Sequence, residues 1–325
     1  MRTASKTPNI RASGQPRYVR RQQGVVIVLA LFIVALVATL AYVMMSRLER
    51  DTRRTSLLLR DTQAEFYAQG SIAWAMEQLR ANLANQKPNL PVDVIPLKSP
   101  VDEVNGYKIS STIYDMQARF NLNNLGNPES QADFKRLLQL VDPKINEQQA
   151  QQIVLAATDW ITPGQQQNEY NKYYMDRPLP YRAAHRPMAS ASELQLVKGM
   201  TPQLFSLLQP YVTALPVTTQ VNLRTATPQV MAALAPGMTV DTGKEIARVR
   251  EQSPIASTQA FLNLDLLKNH NIPAEKITAL SNYFLVETNV TIEKQNVVIY
   301  TLLERTGNDA KSAVTIIWQS KGLPG

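Results

Sequence analysis

The chain has 325 residues, no cysteine and two histidines, His185 and His270. This excludes a disulfide scaffold, a thiolate metal site and a cysteine nucleophile, and leaves little for a histidine triad. Hydrophobic residues at 44 % and charged residues at 18 % exclude a chain disordered throughout, and the length suggests one large or two modest domains. The net charge of +8 is not a field for nucleic acid: Arg2, Lys6, Arg11, Arg17, Arg20 and Arg21 supply six of the eight charges within residues 1–24, which hold no acid.

Val25 to Met45 is a run of 21 residues without a charge. At ~1.5 Å per residue such a helix reaches ~30 Å, the hydrocarbon thickness of a bilayer. The positive excess before the run predicts a cytoplasmic N-terminus and places the remaining residues across the membrane. The run is longer than the apolar core of a cleaved secretory signal and no A-x-A site follows it. Gly24 stands between Arg20–Arg21–Gln22–Gln23 and the run; cleavage there would remove the charged arm and leave the apolar helix at the new terminus.

No proline interrupts residues 25–87, so the helix is expected to continue to about Leu83, some ~90 Å in all, ending at Asn85–Pro88. Leu48, Thr52, Thr55, Leu59, Thr62, Phe66, Ala73 and Met76 recur at steps of mostly three or four, with Trp74, Leu79 and Leu83 widening the stripe, and are expected to face a domain. Residues 106–119 alternate through Tyr107, Ile109, Ser111 and Ile113 and predict a strand. From Leu122 to about Leu280 the pattern is helical. Thr162–Pro163, Thr201–Pro202, Thr227–Pro228 and Ser253–Pro254 each offer a capping hydroxyl before a proline at the first helical position. Residues 283–292, 297–304 and 313–318 are rich in β-branched residues and predict a three-stranded antiparallel meander, with turns at Glu293–Asn296 and Gly307–Asn308. The expected fold class is α+β: a long helix packed on an antiparallel sheet, with a large all-α domain inserted between its strands.

Gly199–Met200–Thr201 and Gly237–Met238–Thr239 form a weak repeat that resembles helix-hairpin-helix turns. Threonine replaces the second glycine of such a loop in both, and Lys244, Arg248 and Arg250 alternate with Asp241, Glu245 and Glu251, so no clean basic face results. Asp159, before Trp160, and Glu169 and Asp176 are hard oxygen ligands that could serve calcium, although the loop Gln165–Asn168 holds no carboxylate. No G-x-S-x-G, P-loop, H-E-x-x-H or G-x-G-x-x-G motif is present, so no enzyme is expected.

Several separated stretches resemble one family, the type II secretion minor pseudopilin K family (GspK). They are Gly24 before the apolar run, Ala118–Asn123, Asp159–Trp160, Pro180–Ala184, Ser192–Leu194, Leu215–Pro216, Asn222–Ala226 and the terminal meander, in the family's order. The resemblance implies cleavage after Gly24 by prepilin peptidase and a mature, N-methylated Val25. It also implies a pseudopilin fold with an inserted helical domain, and a place at the pseudopilus tip with minor pseudopilins I and J. General pilins carry glutamate at the fifth mature position, where this chain has Leu29; a first subunit has no neighbour ahead whose amine would pair with it, and K members share the absence. Of the family's calcium loop only Asp159 and Glu169 match.

The expected organisation is a basic leader 1–24, a transmembrane helix 25–45, the rest of the helix and first strands 46–118, a helical insert 119–280 and terminal strands 281–325. The expected role is assembly: anchoring in the inner membrane with the C-terminal part periplasmic, nucleating and capping a short filament. The insert would face secreted substrates or the outer-membrane secretin, and no nucleic acid is expected as a partner. The alternative is a membrane-anchored helix-hairpin-helix DNA-binding protein of DNA uptake.

Overall fold

The computed structural model describes residues 23–84, 96–164, 169–252, 257–268, 270–292, 295–307 and 313–322. The chain forms two compact units, residues 1–61 and 62–325. Helix α1 is Gln23–Ala84, and the helix end predicted at Asn85–Pro88 lies outside the described residues.

In the first unit every residue from Val25 to Met45 is exposed. The hydroxyl of Thr39 donates to the carbonyls of Ala35 and Leu36, so the only side-chain hydroxyl of that run other than Tyr42 is satisfied within the helix.

In the second unit, residues 62–84 of α1 bury a face made of Ala64, Ala68, Ile72, Ala75 and Leu79. The predicted stripe is corrected here: Phe66 is 77 % exposed and Ala73 is exposed, while the buried face turns on small residues that bring the helix close to a sheet. That sheet contains β1 (Leu97–Lys98), β2 (Asp102–Val104), β3 (Tyr107–Asp115) and, after a long helical block, β8 (Tyr283–Ile292), β9 (Gln295–Thr306) and β10 (Ala313–Lys321). Its order is β1-β3-β8-β9-β10, with β2 also paired to β3, and every pairing is antiparallel. The strand predicted over 106–119 stops at Asp115, and β9 begins at Gln295, inside the turn predicted there.

Alternation sorts the two faces of the sheet. Ile113, Phe284, Val286, Leu303 and Val314 meet Ile72, Ala75 and Leu79 of α1, and Tyr107, Ile109, Val290 and Ile299 meet Ala64 and Ala68. The opposite face carries Tyr283, Leu285 and Leu302, which pack with Met116 and with Leu215 of the helical block. Arg305 of β9 ties three parts together. Its guanidinium donates to the carbonyls of Leu79 (3.2 Å) and Ser281 (2.7 Å) and stands 4.8 Å from the centre of the Phe284 ring.

Between β3 and β8 come β4 (Phe120–Asn121), α2 (Pro128–Val141), α3 (Glu147–Ile161), α4 (Glu169–Met175), α5 (Pro202–Leu208), β5 (Val212–Thr213), β6 (Val221–Asn222), α6 (Pro228–Ala233), α7 (Val240–Gln252), α8 (Thr258–Leu262) and β7 (Ile277–Thr278). Two short parallel pairs, β4 with β5 and β6 with β7, stitch distant parts of this block. One continuous apolar core fills it, with Phe120 stacked on Phe134 at 5.4 Å. Thr201 and Thr227 cap α5 and α6 ahead of prolines, as predicted. Thr162 does the opposite. It is the C-cap of α3, its amide bonding the carbonyl of Asp159 at 3.1 Å, and Pro163 stops the helix rather than starting one. Ser253–Pro254 lies outside the described residues.

Candidate functional site: the apolar helix and the motif residues

Gly24 and Val25 lie in the first turn of α1, with nothing within 4 Å of a Cβ built on Gly24 and Val25 70 % exposed. Leu29 is 58 % exposed, one turn on. The helix is long and apolar enough to cross a membrane, with a mean hydropathy of 3.0 over its most apolar stretch. A helix with this composition and no burial needs another apolar phase or other helices around it. Ala30, Ala35, Ala38 and Ala41 are exposed along it and would let a second helix approach closely.

The motif residues of the helical block are brackets. Asn121 accepts backbone N–H bonds from Asn123 and Leu215 (both 3.1 Å) and donates to the carbonyl of Val217 (2.8 Å). Asn123 spans Met188 and Leu215: it donates to both carbonyls, at 3.0 and 2.7 Å, and accepts from the Met188 amide at 2.8 Å. Neither asparagine could be assigned this work from sequence, because their partners lie 65 to 96 residues away. His185, with φ 45°, bridges the Asn171 amide (2.9 Å) and the Thr162 carbonyl (3.1 Å).

Asp159 is buried in the last turn of α3, while Glu169 opens α4 and is exposed; the loop 165–168 between them lies outside the described residues. Beside Asp159, Trp160 donates from Nε1 to Glu193 (3.1 Å) and meets Tyr174 edge-on at 5.5 Å. Burial, and then Tyr181 ahead of Asp159 and Tyr173 as smaller causes, pushes the pKa of the Tyr174 hydroxyl up to about 12, against the Lys198 amide bond. Among the described residues no three acidic or histidine side chains gather as a metal site, and two carboxylates alone fall short of the about 6–8 oxygens calcium takes.

The paired turns are helix entries. Gly199 and Gly237 take φ of 89° and 75°, and the following Thr201 and Thr239 accept bonds from Leu204 and Thr242 (both 3.1 Å). Lys244 and Arg248 are spent on Asp241 and Glu245 within α7.

Two family models, both for type II secretion system (T2SS), protein K, match residues 118–217 and 221–281. The type II secretion system protein K of Klebsiella pneumoniae is 30 % identical over 308 residues, spanning 88 % of this chain and 94 % of that protein. This chain belongs to the type II secretion system protein K family. The protein K of Pseudomonas aeruginosa is also 30 % identical, over 91 % of this chain and 92 % of its own length. Among solved structures, a chain in the crystal structure of the GspK-GspI-GspJ complex from enterotoxigenic Escherichia coli superposes with a TM-score of 0.70 at 23 % identity, covering 83 % of this chain and 99 % of that one. The fold is therefore that of protein K, and the turns at Gly199 and Gly237 belong to a secretion protein rather than to a DNA-uptake receptor.

Proposed function

We propose that this member of the protein K family is a minor pseudopilin that sits at the tip of the pseudopilus and nucleates or caps its assembly. The observation that carries the reading is the exposed, uncharged stretch Val25–Met45 joined to a sheet-bearing unit. Its neighbour GspK is found in a complex with GspI and GspJ, which supports minor pseudopilins I and J as partners here. In this reading α1 is held in the inner membrane with the second unit on the periplasmic side, and packs on sister helices through its alanines. Prepilin peptidase cuts after Gly24 and frees Val25. Leu29 spares a first subunit an unpaired buried acid. The helical block, proposed as an insert over 119–280, gives the tip its bulk and faces secreted substrates or the secretin. The role is mechanical rather than catalytic.

The test is the intact mass of membrane-extracted protein together with what copurifies. Loss of residues 1–24 with gain of one methyl group, and two pilin-like companions, is the expected result. A full-length, unmethylated chain without companions overturns the reading. Calcium held by Asp159 and Glu169 is a separate proposal: calcium raising the unfolding temperature of the parent, but not of Asp159→Asn, would bear it out, and equal responses would remove it.

A further inference from the structure

In the second unit, where the helical block meets the sheet face turned away from α1, there is a cavity of about 400 Å³. Leu285, Leu302 and Trp318 of the sheet line it as an apolar floor, and Phe205 of α5 also lines it. Among the described residues Arg119, in the link between β3 and β4, is the one charged residue that lines it, and no carboxylate does. Among the described residues the Arg119 guanidinium has no ion pair and no hydrogen bond. Burial pushes its pKa below the ordinary value, against the pull of Tyr114 and Asp115. Their attraction does not outweigh that burial, and neither of them hydrogen-bonds the guanidinium: burial raises the Tyr114 phenol, and the oxygens of Asp115 are taken by Gln117, Asn222, Thr225 and Ser281.

A half-buried guanidinium beside an apolar floor is an incomplete arrangement, because buried charges are ordinarily matched. The fork of five N–H donors suits a carboxylate, which it can meet with two parallel bonds. The floor suits an aromatic or branched side chain, and the volume admits one such group with the acid beside it. We propose that this cavity is a docking site for an acidic peptide segment of another protein, with an apolar side chain resting on Leu285, Leu302 and Trp318 and an adjacent carboxylate meeting Arg119. The site lies in the second unit and does not use the α1 helix of the assembly reading, so it stands or falls independently of tip placement.

The experiment uses the full chain in detergent micelles and two labelled probes, acetyl-Leu-Phe-Glu-amide and its neutral counterpart acetyl-Leu-Phe-Gln-amide, with binding read by fluorescence anisotropy. The acidic probe is expected to bind at least tenfold more tightly than the neutral one, and Arg119→Gln to abolish that difference. Ser206→Trp, an exposed position on α5 at the cavity, leaves Arg119 in place and is expected to weaken both probes at least tenfold. Near-ultraviolet circular dichroism confirms that each variant is folded. Equal affinity for the two probes, no binding of either, or full binding by Ser206→Trp overturns the proposal.

Discussion

Asp115 and Asn222, 107 residues apart, are joined by a hydrogen bond of 2.8 Å from the asparagine Nδ2 to the carboxylate Oδ2, both side chains buried. Ser281 donates to the same oxygen, and the Gln117 amide to the other, each at 2.8 Å. Gln117 in turn accepts from the Asn282 amide at 2.6 Å. The chain thus leaves the sheet and returns to it through one buried polar cluster.

Asp115→Ala strands several buried donors at once, each costing about 1–3 kcal/mol. We expect a loss of about 3 kcal/mol in urea unfolding of the second unit's transition. A loss under about 1 kcal/mol would mean that the cluster is not what holds the block to the sheet.

Glycine-to-alanine substitution should have opposite signs at two helical sites. On α7, a Cβ at Gly243 would stand 2.3 Å from the carbonyl oxygen of Pro228, so Gly243→Ala must part α6 from α7 and cost about 1–3 kcal/mol. On α1, nothing lies within 4 Å of a Cβ at Gly70, so Gly70→Ala should stabilise by up to about 1 kcal/mol through helix propensity. Thermal unfolding of both variants beside the parent reads the two signs; a shared sign refutes the packing argument.

Tyr174 is fully buried, stacked on Tyr181 at 5.2 Å, and its hydroxyl accepts the Lys198 amide at 3.1 Å. With its pKa raised to about 12, the folded state favours the neutral phenol. That contribution is intact below about pH 10, the unfolded value, and is lost as pH rises through about 12. Tyr174→Phe should therefore make the alkaline fall in unfolding midpoint shallower between pH 9 and 11.5. An unchanged slope would show that Tyr174 does not titrate against folding.

For assembly, Gly24→Phe should leave a full-length precursor in the membrane fraction by immunoblot, since a bulky residue blocks cleavage after that position. Leu29→Glu should insert and be processed, yet fail to take the tip place, seen as loss of copurifying pilin-like partners. Normal processing of the first variant, or normal partner recovery by the second, would refute the corresponding role.

The apolar helix, the alternation through Tyr107, Ile109, Ser111 and Ile113, the final meander and the caps Thr201 and Thr227 were all legible in sequence, because each has a local period or a local hydrogen bond. The buried face of α1 was not. Large residues such as Phe66 drew the stripe, whereas close packing on the sheet selects Ala64, Ala68 and Ala75. Thr162–Pro163 misled because the same dipeptide can close a helix as well as open one. The two-residue strands that pair β4 with β5 and β6 with β7 are too short for any period. Asn121, Asn123 and Asp115 act on partners some 65 to 166 residues away, and Arg119 acquires its meaning only from a cavity assembled by the block and the sheet.

Arg305 bonds a carbonyl of α1 and a carbonyl at the start of the returning chain while resting on Phe284. A tensile load travelling down residues 62–84 would pass through that guanidinium into the central strands, not only through sliding apolar surfaces. Residues 62–84 and the sheet would thus resist shear as one piece.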